Sequence, residues 1–171
     1  MSSMFTTLSK KVSSMAYMAQ AIKKGIQKRK FTYSSKKGHA YHWAYVLRAK
    51  DPEKRELIAS DMERAVKKNK YIKYSNTSKS NAKLYDSVKN KAFNCSKVKK
   101  RTYTNCCNLA SVACNFAGIP TPRKNSARTI PTKWAKYDFE IIPYVHKKTK
   151  LVRGDILDAN IKPKVHTAVY L

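Results

Sequence analysis

Residues 101–120 read RTYTNCCNLASVACNFAGIP, and the fold turns on how this stretch is read. Thr104 or Asn105 offers a short side chain that accepts a hydrogen bond from a first-turn N–H, which starts a helix. Cys106, Leu109, Ala110, Ala113 and Ala117 recur at helical spacing and share one stripe. Gly118 supplies a left-handed C-terminal cap, and Ile119-Pro120 stops the helix. The small alanines suit a helix pressed closely against a sheet. A cysteine in the first turn meets the positive end of the helix dipole and unpaired N–H groups, and both favour thiolate. For the neighbours Cys106 and Cys107 this leaves three roles open: packed thiols, part of a metal or disulfide site, or a nucleophile.

Downstream, residues 150–157 (KLVRGDIL) and 165–171 (VHTAVYL) read as strands, with most of their turn at 158–163. In the second, His166, Ala168 and Tyr170 alternate with Val165, Thr167, Val169 and Leu171, the period of a strand. A helix start packed on a later antiparallel strand is how Cys and His meet in papain-like hydrolases, and the helix leaves backbone donors for an oxyanion.

Upstream, Asp51 caps a helix with Pro52 in its first turn and Glu53 and Glu56 near its positive end. Leu57, Ile58, Met62, Ala65 and Val66 form its buried stripe, which ends near the lysines of 67–70. Residues 71–81 read as a polar loop and 82–93 as a short helix. Residues 10–29 carry Val12, Met15, Met18, Ala19, Ile22 and Ile26 at helical spacing with lysines opposite, which predicts a basic amphipathic helix packed on its own domain. Residues 31–47 are rich in aromatics and carry no clear period.

The chain has 171 residues, the length of one domain, with 42% apolar residues and few Gly or Pro, so it is neither low-complexity nor disordered. No apolar stretch approaches the roughly 18 residues of a membrane span, and the N-terminus lacks the apolar run and cleavage site of a secretory signal. Against 10 acidic residues stand 37 Lys and Arg, a net charge of +27 that attracts polyanions. Lys dominates, which favours loose phosphate contacts over base reading. Anionic wall polymer and nucleic acid both answer this charge. Cys95, Cys106, Cys107 and Cys114 form no pair of CxxC knuckles, and on one helix Cys107 and Cys114 lie too far apart for a disulfide, so reduced thiols are the simplest reading. His39 and His42 have ligand-like spacing but no acidic or thiol partner nearby, so no metal and no cofactor is expected. The absence of a CxxC motif also argues against a redox role for Cys106 and Cys107.

The motifs TNCCNLASVACNFAGI, RGDIL and VHTAVYL, in that order, resemble the NlpC/P60 superfamily of cell-wall cysteine hydrolases, and residues 71–100 are similar to the lead-in of endolysins from phages of Gram-positive bacteria. The resemblance covers about residues 65–171. It implies an α+β, papain-like fold with N-terminal helices and a nucleophile helix on a small antiparallel sheet. It makes residues 1–50 a basic, aromatic-containing helical extension and 51–171 the catalytic domain. Cys106 falls on the nucleophile and His166 on the general base. Asn105 stands where the family has Asp, Cys107 and Asn108 fill the two small polar positions that follow, and Asp155 orients the Gly-Asp-Ile-Leu turn. The implied substrate is a peptide or amide bond in peptidoglycan, with action from a phage virion or a lysed cell. The family's third polar residue, on a strand after the histidine, has no counterpart by position 171. Either an upstream group replaces it, or the chain is a shortened, inactive relative that binds wall polymer, nucleic acid or other virion proteins through its charge.

Overall fold

The computed structural model describes residues 15–171. Its first segment is a hairpin, β1 (Tyr17–Ile22) and β2 (Gly25–Lys30), paired antiparallel from Tyr17–Lys30 to Ile22–Gly25. This corrects the helix expected over residues 10–29; Val12 lies outside the described residues. The cause is local. Gly25 adopts φ +113°, a conformation L side chains rarely take, so the chain reverses after Lys23-Lys24. A Cβ there would also collide with Asn69, whose Oδ1 accepts the Ile26 N–H at 2.8 Å. Met18, Ala19, Gln20 and Ala21 are all buried, and a strand covered on both faces loses the alternation that would have marked it as one.

The remaining strands are β3 (Tyr45–Ala49), β4 (Ile72–Tyr74), β5 (Thr102–Thr104), β6 (Phe139–Pro143), β7 (Ile156–Ala159) and β8 (His166–Tyr170). Six of the strands form one sheet in the order β2-β1-β8-β7-β3-β6, with every neighbour antiparallel, while β4 and β5 make a separate parallel pair. The expected N-terminal helices are thus replaced by strands: among the described residues no helix precedes Pro52, and β1 pairs directly with β8. The strand expected at 150–157 is shorter and later, because Gly154 and Asp155 form a tight turn before it. Gly154 has φ +89°, and a Cβ would strike the Arg55 carbonyl. Ala159 pairs with His166, so the turn spans 160–165.

The helices are α1 (Pro52–Lys67), α2 (Lys83–Val88), α3 (Cys106–Phe116) and α4 (Ile130–Trp134). The Asp51 side chain accepts the Glu53 N–H at 2.8 Å, and Ile58, Ala59, Met62 and Ala65 turn α1 toward the core. Every residue of α3 from Cys107 to Cys114 is buried, because it packs against α1, α2, β1 and β8 at once. Its small side chains permit that enclosure. Ala19, Ala21, Leu47, Ile156 and Val169 face these helices. The opposite face carries Met18, Val46, Leu157 and Ala168 beneath the aromatic segment 31–45, where Trp43 is buried and its Nε1–H donates to the Thr32 carbonyl at 2.8 Å. No helix among the described residues is long and apolar enough to cross a membrane.

Candidate functional site

Asn105 has extended backbone and caps α3, its Oδ1 accepting the Asn108 N–H at 2.8 Å. That leaves the N–H groups of the first turn, at Cys106 and Cys107, without intrahelical acceptors. Cys106 is partly exposed at the floor of a cleft of about 400 Å³ lined by Tyr74, Asn105, Cys107, Asn125, Arg128 and Val165, among others. Beside it the sheet opens. β1 and β8 pair only at Met18–Tyr170 and Ala19–Val169, and the Thr167 N–H points instead at the Cys106 sulfur.

Cys106 neighbours Cys107 and His166. The Cys107 thiol first, then His166 and the Thr167 N–H, outweigh burial and hold the Cys106 thiol well below its ordinary value. Cys107 moves the opposite way: the bond to the Cys106 sulfur and its own burial push its thiol well up. The single Cys107 proton also faces the Asn125 carbonyl at 3.0 Å and Asn105 Oδ1 at 3.3 Å, so its donors and acceptors are matched only with the proton in place. The two vicinal thiols thus have opposite characters.

His166 is buried between Tyr41 and Trp43, each ring centroid 5.9 Å away. Its Nε2 lies 2.6 Å from Gln20 Oε1, leaving Nδ1 for the sulfur. The orientation of the Gln20 amide follows from its other end: Tyr41 Oη faces both Gln20 Nε2 at 3.4 Å and Arg29 Nη1 at 2.8 Å, two donors. Gln20 Oε1 therefore accepts the Nε2–H of His166, which fixes the tautomer. Gln20 comes to the imidazole from upstream in the chain, on β1. It escaped detection because residues 10–29 read as a helix with Gln20 on no special face.

Asn108 Nδ2 donates to the Asn81 carbonyl at 2.9 Å, and its Oδ1 accepts the Asn125 N–H at 2.8 Å. Asn125 Oδ1 in turn accepts the Trp134 Nε1–H at 2.9 Å, so the far wall of the cleft is pinned to α3 and α4. Asp155 lies away from the cleft lining. Its carboxylate takes Arg48 through two bonds of 2.8 and 2.7 Å and the Val152 N–H at 2.8 Å, holding the turn before β7. Sequence reading missed Asp158, Thr167 and Tyr74 as well as Gln20. Asp158 on β7 is fully buried, Oδ1 accepting from Thr167 Oγ1 at 3.1 Å and Oδ2 having no partner. Burial chiefly, and the nearby Cys106 sulfur, push its carboxyl well up. Tyr74 is pushed up to about 12, first by burial and then by Cys106. Hydropathy marks none of these, since each owes its place to tertiary packing.

Cys95 and Cys114 are buried and free, their thiols pushed up by burial. His42 Nδ1 bonds the Ser34 carbonyl at 2.8 Å, and His39 Nδ1 accepts the Tyr41 N–H at 3.2 Å. Among the described residues no cluster of three or more His, Cys, Asp or Glu side chains forms a metal site.

Fold and cleft together define a small α+β protein whose helix N-terminus carries a thiol–imidazole–amide row. Residues 23–171 match the endolysin-like domain family, and the chain belongs to that family. No curated protein and no solved structure matches it.

Proposed function

We propose that this protein is a phage lysin of NlpC/P60 type that hydrolyses a peptide or amide bond of bacterial peptidoglycan through Cys106 and His166, with no cofactor. The observation that carries the reading is the row Cys106–His166–Gln20, in which His166 neighbours Cys106 on one side and bonds the Gln20 carbonyl at 2.6 Å on the other. Membership of the endolysin-like family supports wall material as the substrate.

The chemistry follows from the contacts. The Cys106 thiolate attacks the substrate carbonyl carbon, and the oxygen gaining charge is met by the free N–H groups of the first turn of α3. The imidazolium of His166 gives its Nδ1 proton to the departing amine, leaving a thioester on Cys106. His166, now neutral, takes a proton from water, whose oxygen attacks the thioester. The C–S bond breaks, the acid leaves, and the proton taken from water stays on the imidazole beside the regenerated thiolate. Gln20 keeps the Nε2–H in place through both halves. Asn105, where relatives of this type carry Asp, caps the helix without placing a second anion next to the sulfur.

The test is release of soluble fragments from purified Gram-positive peptidoglycan by the wild type, Cys106→Ala and Cys107→Ala. Activity lost in Cys106→Ala, and largely kept in Cys107→Ala, is the expected result. A wild type that sediments with walls yet releases nothing from several wall types would overturn the reading in favour of an inactive wall-binding or virion protein.

A further inference from the structure

Four neighbouring grooves, each sharing a lining residue with the next, lead to Cys106. A shallow one bordered by Lys97 and Lys99 shares Lys99 with a second that reaches Arg101. Arg101 also borders a third, of about 370 Å³, together with Lys23, Lys24 and Lys73. Tyr74 borders both this groove and the Cys106 cleft. No Asp or Glu borders any of the four. Seven cations away from the grooves are in ion pairs, among them Arg48 with Asp155, Arg123 with Asp86 and Arg153 with Glu56 and Glu63. None of the nine cations that border the grooves is in an ion pair among the described residues.

The cations are held on regular structure. Lys73 lies on β4 and pairs in register with Tyr103 of β5, which puts Arg101 next to the strand start, and the Lys23-Lys24 turn belongs to the β1–β2 hairpin that packs against β4. We infer that this row is a track for a linear phosphodiester polymer of the teichoic-acid class, which brings the wall strand bearing it to Cys106. The inference rests on the wall-hydrolase reading for its destination, not for the binding itself. A row of point charges suits regularly spaced phosphates, whereas a lone stem carboxylate needs one or two of them. Nucleic acid fits less well, because single strands bind on open aromatic faces. Here Arg101 lies over Tyr103, 5.7 Å from its ring centroid, and Tyr74 is half-buried.

The experiment uses the full chain with Cys106→Ala, so that walls stay intact, and measures sedimentation with Gram-positive walls carrying teichoic acid or stripped of it by hydrofluoric acid. Two charge-reversed forms are compared at equal net charge, with circular dichroism as the folding control: K23E/K99E/R101E on the track, and K136E/K147E/K148E on exposed lysines elsewhere. The track form is expected to bind intact walls at least ~10-fold more weakly, with a shallower salt dependence, from the loss of three counterion-releasing contacts. The control form should change less than ~3-fold, and the two should not differ on stripped walls. Equal losses in both forms, or no loss in the track form, would overturn the track. So would duplex DNA displacing the protein from walls as well as soluble teichoic acid does at equal phosphate concentration. Binding is read without cleavage, so a track effect in a protein that releases no fragments removes the hydrolase reading and leaves this one standing.

Discussion

Gln20→Ala tests the row at the cleft most directly. The Gln20 carbonyl sits 2.6 Å from His166 Nε2, and both side chains are buried, so no water substitutes for it without repacking. When the thiolate forms, its partner is the imidazolium, and the bond to Gln20 becomes a hydrogen bond from a charged donor, worth about 1.5–3 kcal/mol. At 1.36 kcal/mol per factor of ten, its loss lowers kcat/KM on wall substrate by roughly 10- to 150-fold. The same loss weakens the ion pair, so the pH at which Cys106 becomes reactive rises. The substrate-free assay is the rate of Cys106 alkylation by iodoacetamide against pH, with Cys95, Cys107 and Cys114 changed to Ala to remove competing signals. Wild type should react well below the pH at which an ordinary thiol does, because Cys106 is held down by Cys107, His166 and the Thr167 N–H; the Cys107→Ala background removes the first of these, and the Gln20 effect is read relative to it. Gln20→Ala should shift the alkylation profile upward, and Gln20→Glu, which keeps an acceptor at that position, should restore it. An alkylation profile and a turnover both unchanged in a folded Gln20→Ala protein would refute the reasoning, since the tautomer would then be set by something else.

Gly154→Ala should cost roughly 2–5 kcal/mol by urea denaturation, combining a strained positive φ with collision against the Arg55 carbonyl; a loss under ~1 kcal/mol would mean that the turn and α1 separate easily. Burial pushes the Asp61 carboxyl from an ordinary 3.8 up to about 6. A raised acid binds its proton more tightly folded than unfolded between those values, so its contribution falls as pH rises through about 4 to 6, by roughly 3 kcal/mol. Asp61→Asn keeps an acceptor for the Cys95 N–H, and its stability minus that of wild type should climb across that window; a flat difference would contradict the burial argument. Asn108→Ala strips a bond of 2.8 Å from the Asn125 N–H and should destabilise by about 1–3 kcal/mol. Hydrogen exchange at that amide should quicken ahead of the amides of α3.

The helix at 106–116 could be read from sequence because every device that makes it is local: a capping amide, small residues at helical spacing and a glycine stop. The same holds for the cap of α1 and for Ile58, Met62 and Ala65 of its stripe, although Leu57 of the expected stripe is exposed. The hairpin at 17–30 could not. Its strand is buried on both faces, and its apolar positions mimic a helical stripe until the reversal at Gly25 is known. The site divides along the same line. Cys106 and His166 sit on elements with local signatures. Gln20, Asp158 and Tyr74 reach the site only through strand pairing and the cleft wall, neither of which leaves a mark in nearby sequence.

The bond between Gln20 and His166 spans 146 positions of chain. Closing a loop of that length costs about 4 kcal/mol of entropy, which only the completed sheet repays. Where β1 is parted from β8, the imidazole has no amide to orient it, and Cys106 keeps only its neighbours on α3 and β8. The orienting bond is therefore a property of the closed sheet and not of α3 alone.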